Sequence, residues 1–328
     1  MTGLLPWHQA LWRHTAARLQ AGRMPHALLL GGPRGIGKHR FAEHLARAAL
    51  CEAPDAQGGG CGQCRQCHLT LAGTHPDWRR VSPEEEGKDI LVDQIRELTQ
   101  HLGLKAQMGG YKVAVIEPAG KMNMNAANCL LKSLEEPPAA TLLVLVSARP
   151  ASLPATIRSR CQKLLLGPPP REQALAWLNE QGVEDPALAL TVTQGAPLAA
   201  LALAQGDEAA RREALLGDFT ALAEGRSDPV QIAAKWLKLN INSSLYWMYT
   251  WLIDMIRIKA VGNTSVCINP DYRGQLAKIA EKMEITSLFH RLDQLQGALR
   301  RVDRPVNKQL LLEDLLLPWT PNPARHRG

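Results

Sequence analysis

Short apolar runs without alternation are interleaved with helix-spaced stretches through the first half of the chain. Residues 26–30 (HALLL), 112–116 (KVAVI) and 142–146 (LLVLV) suit strands buried on both faces of a parallel sheet. Residues 39–50 (HRFAEHLARAAL) carry apolar side chains at helical spacing. Residues 123–136 predict a helix with Met124, Ala127, Leu131 and Leu134 on one face, ended by Pro137 and Pro138. Strand, helix, strand in this order predicts an open α/β sheet.

The pattern changes at Gly167-Pro-Pro-Pro170, a stiff stretch that no strand or helix interior tolerates. Strand signals largely vanish after it. A small helical segment starts at 171–181 (REQALAWLNEQ) and reaches to about residue 206, with Gly195 and Pro197 between helices. Helices then dominate, including 243–261, predicted to be capped by serine, and 307–317 (NKQLLLEDLLL). No short repeat or low-complexity tract interrupts them. The expected division is an α/β phosphate-loop domain over 1–166 with a cysteine insert at about 51–67, a helical lid over 167–207 and an all-α domain over 208–328.

Composition agrees with this division. A chain of 328 residues, 45% of them hydrophobic, can bury more than one core, and 5% aromatic content favours a helix-rich protein. The formal charge of +7 permits nucleic acid or an acidic partner without requiring either. No run of about eighteen apolar residues occurs and the N-terminal stretch lacks a signal-peptide core, so a cytoplasmic protein is expected. The seven cysteines then need an explanation that suits a reducing compartment.

Two clusters carry chemistry. Residues 32–39 read GPRGIGKH, a G-x-x-x-x-G-K loop between a predicted strand and a predicted helix. Gly32, Gly35 and Gly37 shape an anion nest, and Lys38 supplies a charge for outer phosphates. His39 stands where a serine or threonine hydroxyl normally holds magnesium, and imidazole prefers softer metals. The strand 112–116 ends in Glu117-Pro118, where a phosphate-loop ATPase presents an aspartate and often a glutamate. Glu117 either reaches a metal or caps a solvated strand end; Pro118 can accept no proton. ATP and magnesium are therefore doubtful ligands for this chain. The second cluster is Cys51, Cys61, Cys64 and Cys67, whose four thiolates in one glycine-rich insert suit a closed, structural zinc site. An iron–sulfur run would want another cysteine soon after Cys67, and the next is Cys129. Cys51 is the alternative-bearing ligand, since His68 is also at hand. Cys129, Cys161 and Cys267 read as ordinary thiols, and His8, His14, His26 and His290 show no ligand spacing. Trp236, Tyr246, Trp247, Tyr249 and Trp251 fit helical packing, and Arg300, Arg301 and Arg304 make a modest solvated basic face.

The stretch 112–161, containing NAANCLLKSLEEPP and SRC, resembles the core of bacterial clamp-loader subunits of the AAA+ class. The cysteine cluster and the GTHPD stretch at 73–77 extend the resemblance over most of the first domain. It implies that Ser159-Arg160-Cys161 supplies an arginine finger to ATP held by a neighbouring subunit. Active relatives place a phosphate-sensing arginine on the lid, where this chain has Leu198, and Ser147 is matched to the residue that senses hydrolysis. His39, Pro118 and Leu198 together argue against autonomous turnover. The resemblance implies delta and gamma or tau subunits as partners, a sliding clamp as substrate, primer-template DNA reached through the complex, and a place in a DNA polymerase (nucleotidyltransferase) holoenzyme. An active gamma- or tau-type ATPase and a stand-alone zinc-containing nucleic-acid-binding module are the competing readings.

Overall fold

Apolar runs that lack alternation need cover on both faces, and the sheet supplies it. The computed structural model describes residues 3–85, 87–262, 267–302 and 306–320; Arg304 of the basic face lies outside them. Strands β1 (Ala27–Gly31), β2 (Trp78–Val81), β3 (Lys112–Ile116), β4 (Thr141–Ser147) and β5 (Gln162–Leu165) form one sheet of order β2-β3-β4-β1-β5. Every pairing is parallel, with Gly31 opposite Ser147 in β4 and opposite Leu165 in β5. The central β1, β3 and β4 are buried along their whole length.

Each strand splits its side chains between two cores, as the two-residue period demands. Leu29, Ala114, Ile116, Leu143 and Leu145 join one cluster. It is covered by α4 (Val92–Gly103), α5 (Met124–Glu135) and α6 (Ala155–Arg160). Leu28, Leu30, Val113, Val115, Leu142, Val144 and Val146 join the other. That face is covered by α1 (Gln9–Gln20) and α2 (Lys38–Leu50), whose Trp12, Phe41, Ala42 and Leu45 are buried. A short α3 (Arg65–Leu71) begins within the cysteine insert and carries Cys67, and α7 (Arg171–Glu180) follows the proline stretch.

The buried face of α5 is shifted from the sequence reading: Ala126 and Leu130 join it, Leu131 is only half-buried and Met124 leaves it. Ala126, Ala127, Leu130 and Leu134 are buried, whereas Met124 is 67% exposed. Asn123 caps the helix by accepting from the Ala126 N–H, so Met124 is its first residue. Helical side chains tilt toward the N-terminus, which carries Met124 past the end of the packed surface.

The chain divides into two compact units, Met1–Trp177 with Ala196–Ala199, and Leu178–Gly195 with Ala200–Gly328. The second contains α8 (Pro186–Val192), most of α9 (Pro197–Gln205), α10 (Glu208–Ala223), α11 (Pro229–Leu237), α12 (Ile241–Val261), α13 (Arg273–Glu281), α14 (Ile285–Arg301) and α15 (Lys308–Leu316). Its core gathers Phe219, Trp236, Leu245, Trp247, Trp251, Leu288, Leu295, Leu312 and Leu316. The aromatic residues on α11 and α12 thus serve packing. Helix α12 starts two residues before the predicted serine cap, because Asn240 accepts from the N–H groups of Asn242 and Ser243. Within this unit Arg212 donates to Asp271 at 2.6 and 2.9 Å and to Asn269 at 2.8 Å, with its guanidinium 4.0 Å from the Tyr272 ring centre. Asp254, fully buried, accepts from the backbone of Ile268 and Asn269 and from the Asn269 amide. Among the described residues no single helix is long and apolar enough to cross a membrane.

Candidate functional site

The carboxyl ends of parallel strands are where an open α/β sheet presents its chemistry. The phosphate loop follows β1, Glu117 follows β3 and Ser147 ends β4, so the topology brings all three to one edge of the sheet. Gly37, at the start of α2, has φ +87° and lies against Leu5 and His8; a Cβ there would collide with the Leu5 side chain. Gly35, at φ +73°, carries no Cβ either, and one would meet the Ala199 methyl at 2.6 Å.

The loop is heavily bonded from within its own unit. Lys38 is buried, and its ammonium donates to the Pro33 carbonyl at 2.5 Å. Burial pushes its pKa below the ordinary lysine value. The Leu198 N–H donates to the Gly35 carbonyl at 2.9 Å. The Ile36 carbonyl accepts from Trp7 Nε1 and from His8 Nε2, both at 2.9 Å. Bonding to a carbonyl fixes the His8 proton on Nε2, and burial holds that imidazole down to about 4. Ser147, also buried, accepts from the Arg149 N–H at 3.1 Å.

His39 and Glu117 meet directly. Nδ1 of His39 lies 2.5 Å from Glu117 Oε2, and Nε2 lies 2.9 Å from Glu43 Oε1. Arg80 on β2 stands 3.7 Å from Glu117, 3.9 Å from Glu43 and 3.5 Å from His39 Nε2. The bond from Glu117 raises the His39 pKa above its usual value against the opposing effect of burial. The sequence reading did not bring in Glu43, Arg80 or Trp7, and it set His8 aside as a histidine without ligand spacing. Glu43 was findable, since it lies four residues after His39 on one helix face. Arg80 was not, because its place depends on β2 pairing with β3.

Arg160 is the last residue of α6, beside α5. Its side chain is 36% exposed, and the guanidinium lies 2.7 Å from Glu135 of the LEEPP stretch and donates to the Thr156 carbonyl at 2.9 Å. Ser159 is exposed and donates to the same carbonyl at 3.1 Å.

The four cysteines of the insert converge. The sulfurs of Cys51, Cys61, Cys64 and Cys67 all lie within 4.8 Å of one another. The Cys51–Cys64 and Cys61–Cys67 pairs are each 3.9 Å apart. Tetrahedral ligands at a metal–sulfur distance of about 2.3 Å stand about 3.8 Å apart, so the donor set fits one metal ion without rearrangement. Cys51 reaches the group from the C-cap of α2, and His68, exposed on α3, is not in it. Backbone N–H groups support thiolates here: Cys61 N donates to Cys51 at 3.3 Å, Cys64 N to Cys61 at 3.3 Å and Cys67 N to Cys64 at 3.4 Å. Bonds from the Gln63 and Cys64 N–H groups pull the Cys61 thiol down to about 6.

A buried relay ties this cluster to the sheet. Gln66, between two of the cysteines, accepts from His75 Nε2 at 2.5 Å, while His75 Nδ1 accepts from the Asp77 N–H at 3.0 Å. The Asp77 carboxylate accepts from the N–H groups of Gln107 and Met108, both at 2.9 Å. The GTHPD stretch is therefore structural wiring. On the other side of the insert, Trp12 Nε1 donates to the Gln57 carbonyl at 3.0 Å.

Known proteins share this sequence along its length. The sequence family described as DNA polymerase III, delta subunit, matches residues 7–170, and its C-terminal counterpart matches residues 207–321. DNA polymerase III subunit delta' of Pseudomonas aeruginosa is 37% identical over 333 residues, covering 99% of each chain. Its Escherichia coli namesake is 36% identical, covering 95% of this chain and 94% of its own. A Thermotoga maritima crystal structure described as a DNA polymerase III, gamma subunit-related protein aligns with 93% of this chain and 98% of its own at 18% identity and a TM-score of 0.44. With two relatives matched above a third identity from end to end, the chain belongs to the DNA polymerase III delta' family.

Proposed function

We propose that this chain is a non-hydrolysing subunit of the DNA polymerase III clamp loader, a complex that uses ATP to open a sliding clamp and place it on primed DNA. In this reading its partners are the delta and gamma or tau subunits, with primer-template DNA met through the complex. The observation that carries the reading is the pairing of a self-bonded phosphate loop with an arginine held at the surface. The loop's lysine, its histidine and two of its carbonyls already have partners inside the chain. Arg160 is partly exposed at the end of α6 and held by an exposed glutamate. An approaching triphosphate competes well for such a guanidinium, because phosphate oxygens accept its fork of N–H groups in two-point fashion. Arg160 then stabilises charge developing on a neighbour's γ-phosphoryl group, an effect worth about a thousandfold or more in rate. Ser159 acts beside it as a positioning residue.

The division into a domain at 1–166, a lid at 167–207 and a collar at 208–328 belongs to the same proposal. Supporting assembly through the collar, Val230 and Leu237 on α11 and Leu310 and Leu317 at α15 are exposed at seven-residue spacing, a helical interface period. The metal that fits the cysteine cluster is zinc, held by Cys51, Cys61, Cys64 and Cys67 in a closed structural site with no open position for chemistry. The ATPase alternative is disfavoured by the self-bonded loop, and the stand-alone module by family membership over the whole chain.

The test is Arg160→Ala in the reconstituted complex. DNA-stimulated ATP hydrolysis should fall steeply while assembly is unchanged, and Arg160→Lys should not restore it, since an ammonium lacks the guanidinium fork. Undiminished hydrolysis would sink the proposal.

A further inference from the structure

We propose that His39, as an imidazolium, takes the place of the divalent cation at this phosphate loop, and that its pairing with Glu117 shuts the loop against magnesium nucleotide. The proposal rests on the reading of residues 32–39 as a phosphate loop, and deepens it. In a magnesium-dependent loop the residue after the lysine and a carboxylate at the end of the second strand hold the metal together. Here those two positions hold each other: His39 Nδ1 is 2.5 Å from Glu117 Oε2.

The charge state follows from the geometry. A neutral imidazole has one N–H, and a carboxylate can only accept. His39 has a carboxylate oxygen at each ring nitrogen, Glu117 at Nδ1 and Glu43 at Nε2, the latter at 2.9 Å against 3.5 Å for the donor-only Arg80 guanidinium, so the closer carboxylates put a proton on both nitrogens and the ring is a cation. The charged groups facing it come from three elements: Glu43 on its own helix, Arg80 on β2 and Glu117 after β3. Lys38, near Glu117 and Arg34, adds positive charge on the loop side of Glu117. Two carboxylates thus already have their cations, and a magnesium ion entering would meet His39 and Arg80 across them.

The closure is completed by the loop's own backbone partners. The Lys38 ammonium, which would reach outer phosphates, is spent on the Pro33 carbonyl. The Leu198 N–H is bonded to the Gly35 carbonyl, and Ala199 lies so near Gly35 that one added carbon would not fit. Leu198 therefore does more than lack a phosphate-sensing charge; its main chain covers the loop. A loop open about a tenth of the time loses about tenfold in apparent affinity, and the loss grows in proportion as the open fraction falls.

Equilibrium binding of a fluorescent ATP analogue to the purified full chain, with and without magnesium, tests this. The unaltered chain should show no magnesium-enhanced binding. His39→Thr, which removes the internal cation and restores a hydroxyl, should gain about tenfold or more in affinity, only with magnesium. Equal binding by the two proteins overturns the proposal. A second measurement needs no variant: nitrogen-15 NMR of the unaltered chain at about pH 7 should show both ring nitrogens of His39 protonated, unlike a free histidine of pKa about 6.5. A ring carrying one proton overturns the proposal even if His39→Thr fails to fold. Both measurements use the isolated chain, whereas the Arg160 test uses the complex, so failure of the closed loop and failure of the arginine proposal are separately visible.

Discussion

A single histidine shows how much one side chain can settle. The imidazole of His39 is half-buried between two carboxylates, and its pKa is raised chiefly by the bond to Glu117. A group whose pKa is higher folded than unfolded stabilises the fold fully below the unfolded value and loses that contribution as pH rises through the folded value. Both partners keep some exposure, so screening limits the pair to on the order of 1 kcal/mol. Glu117→Gln should therefore lower the melting temperature slightly near pH 6, and the gap between the two proteins should close as pH rises past the raised pKa. A gap that widens with pH would contradict the ion pair. The odd residue at position 39 was legible in the sequence, as was the absence of a side-chain base at Pro118. What it bonds was not legible, since Glu117 is 78 positions away in sequence and the two meet through the parallel sheet.

Among the elements, the cysteine insert is the one whose order depends most on partners outside its backbone. Seven residues of α3 are too few to persist alone, so this segment relies on tertiary ties. One tie is the sulfur cluster; the other is the buried chain from Gln66 through His75 to Asp77. His75→Phe keeps the volume roughly but leaves the Gln66 carbonyl oxygen and the Asp77 N–H without partners. Each such orphan costs about 1–3 kcal/mol, and the loss should appear in the urea midpoint while the metal content of the cysteine cluster, measured by mass spectrometry, is unchanged. Metal content falling in parallel with stability would mean that the relay holds the ligands themselves. The cysteine spacing was readable because metal chemistry needs few residue types at short range. The strands at the sheet edges were not: β2 (WRRV) and β5 (QKLL) have too little apolar pattern to stand out, and exist by pairing with β3 and β1. Helix starts were readable to within two residues, the error at α12 arising because Asn240 precedes two serines that could also cap.

At the scale of the molecule, the described residues form separate apolar cores, two around the sheet and one in the helical unit. Units with their own cores unfold on their own terms, so calorimetry should resolve more than one transition. Stripping metal with a strong chelator should lower the transition of the sheet unit alone. Arg212→Ala, which removes a buried guanidinium and its bonds to buried Asn269 and to the solvent-accessible Asp271, should cost about 1–3 kcal/mol and lower the helical unit's transition alone. A single transition moved by both treatments would show one cooperative block.

The chain also leaves the sheet unit at Trp177 and returns to it for Ala196–Ala199. That return has a practical consequence for anyone trimming the protein. A fragment ending anywhere between 177 and 195 keeps the whole glycine loop but discards the Leu198 N–H and Ala199 methyl that lie on it. Such a fragment would display an uncovered loop, and any nucleotide affinity it acquired would belong to the scissors rather than to the protein.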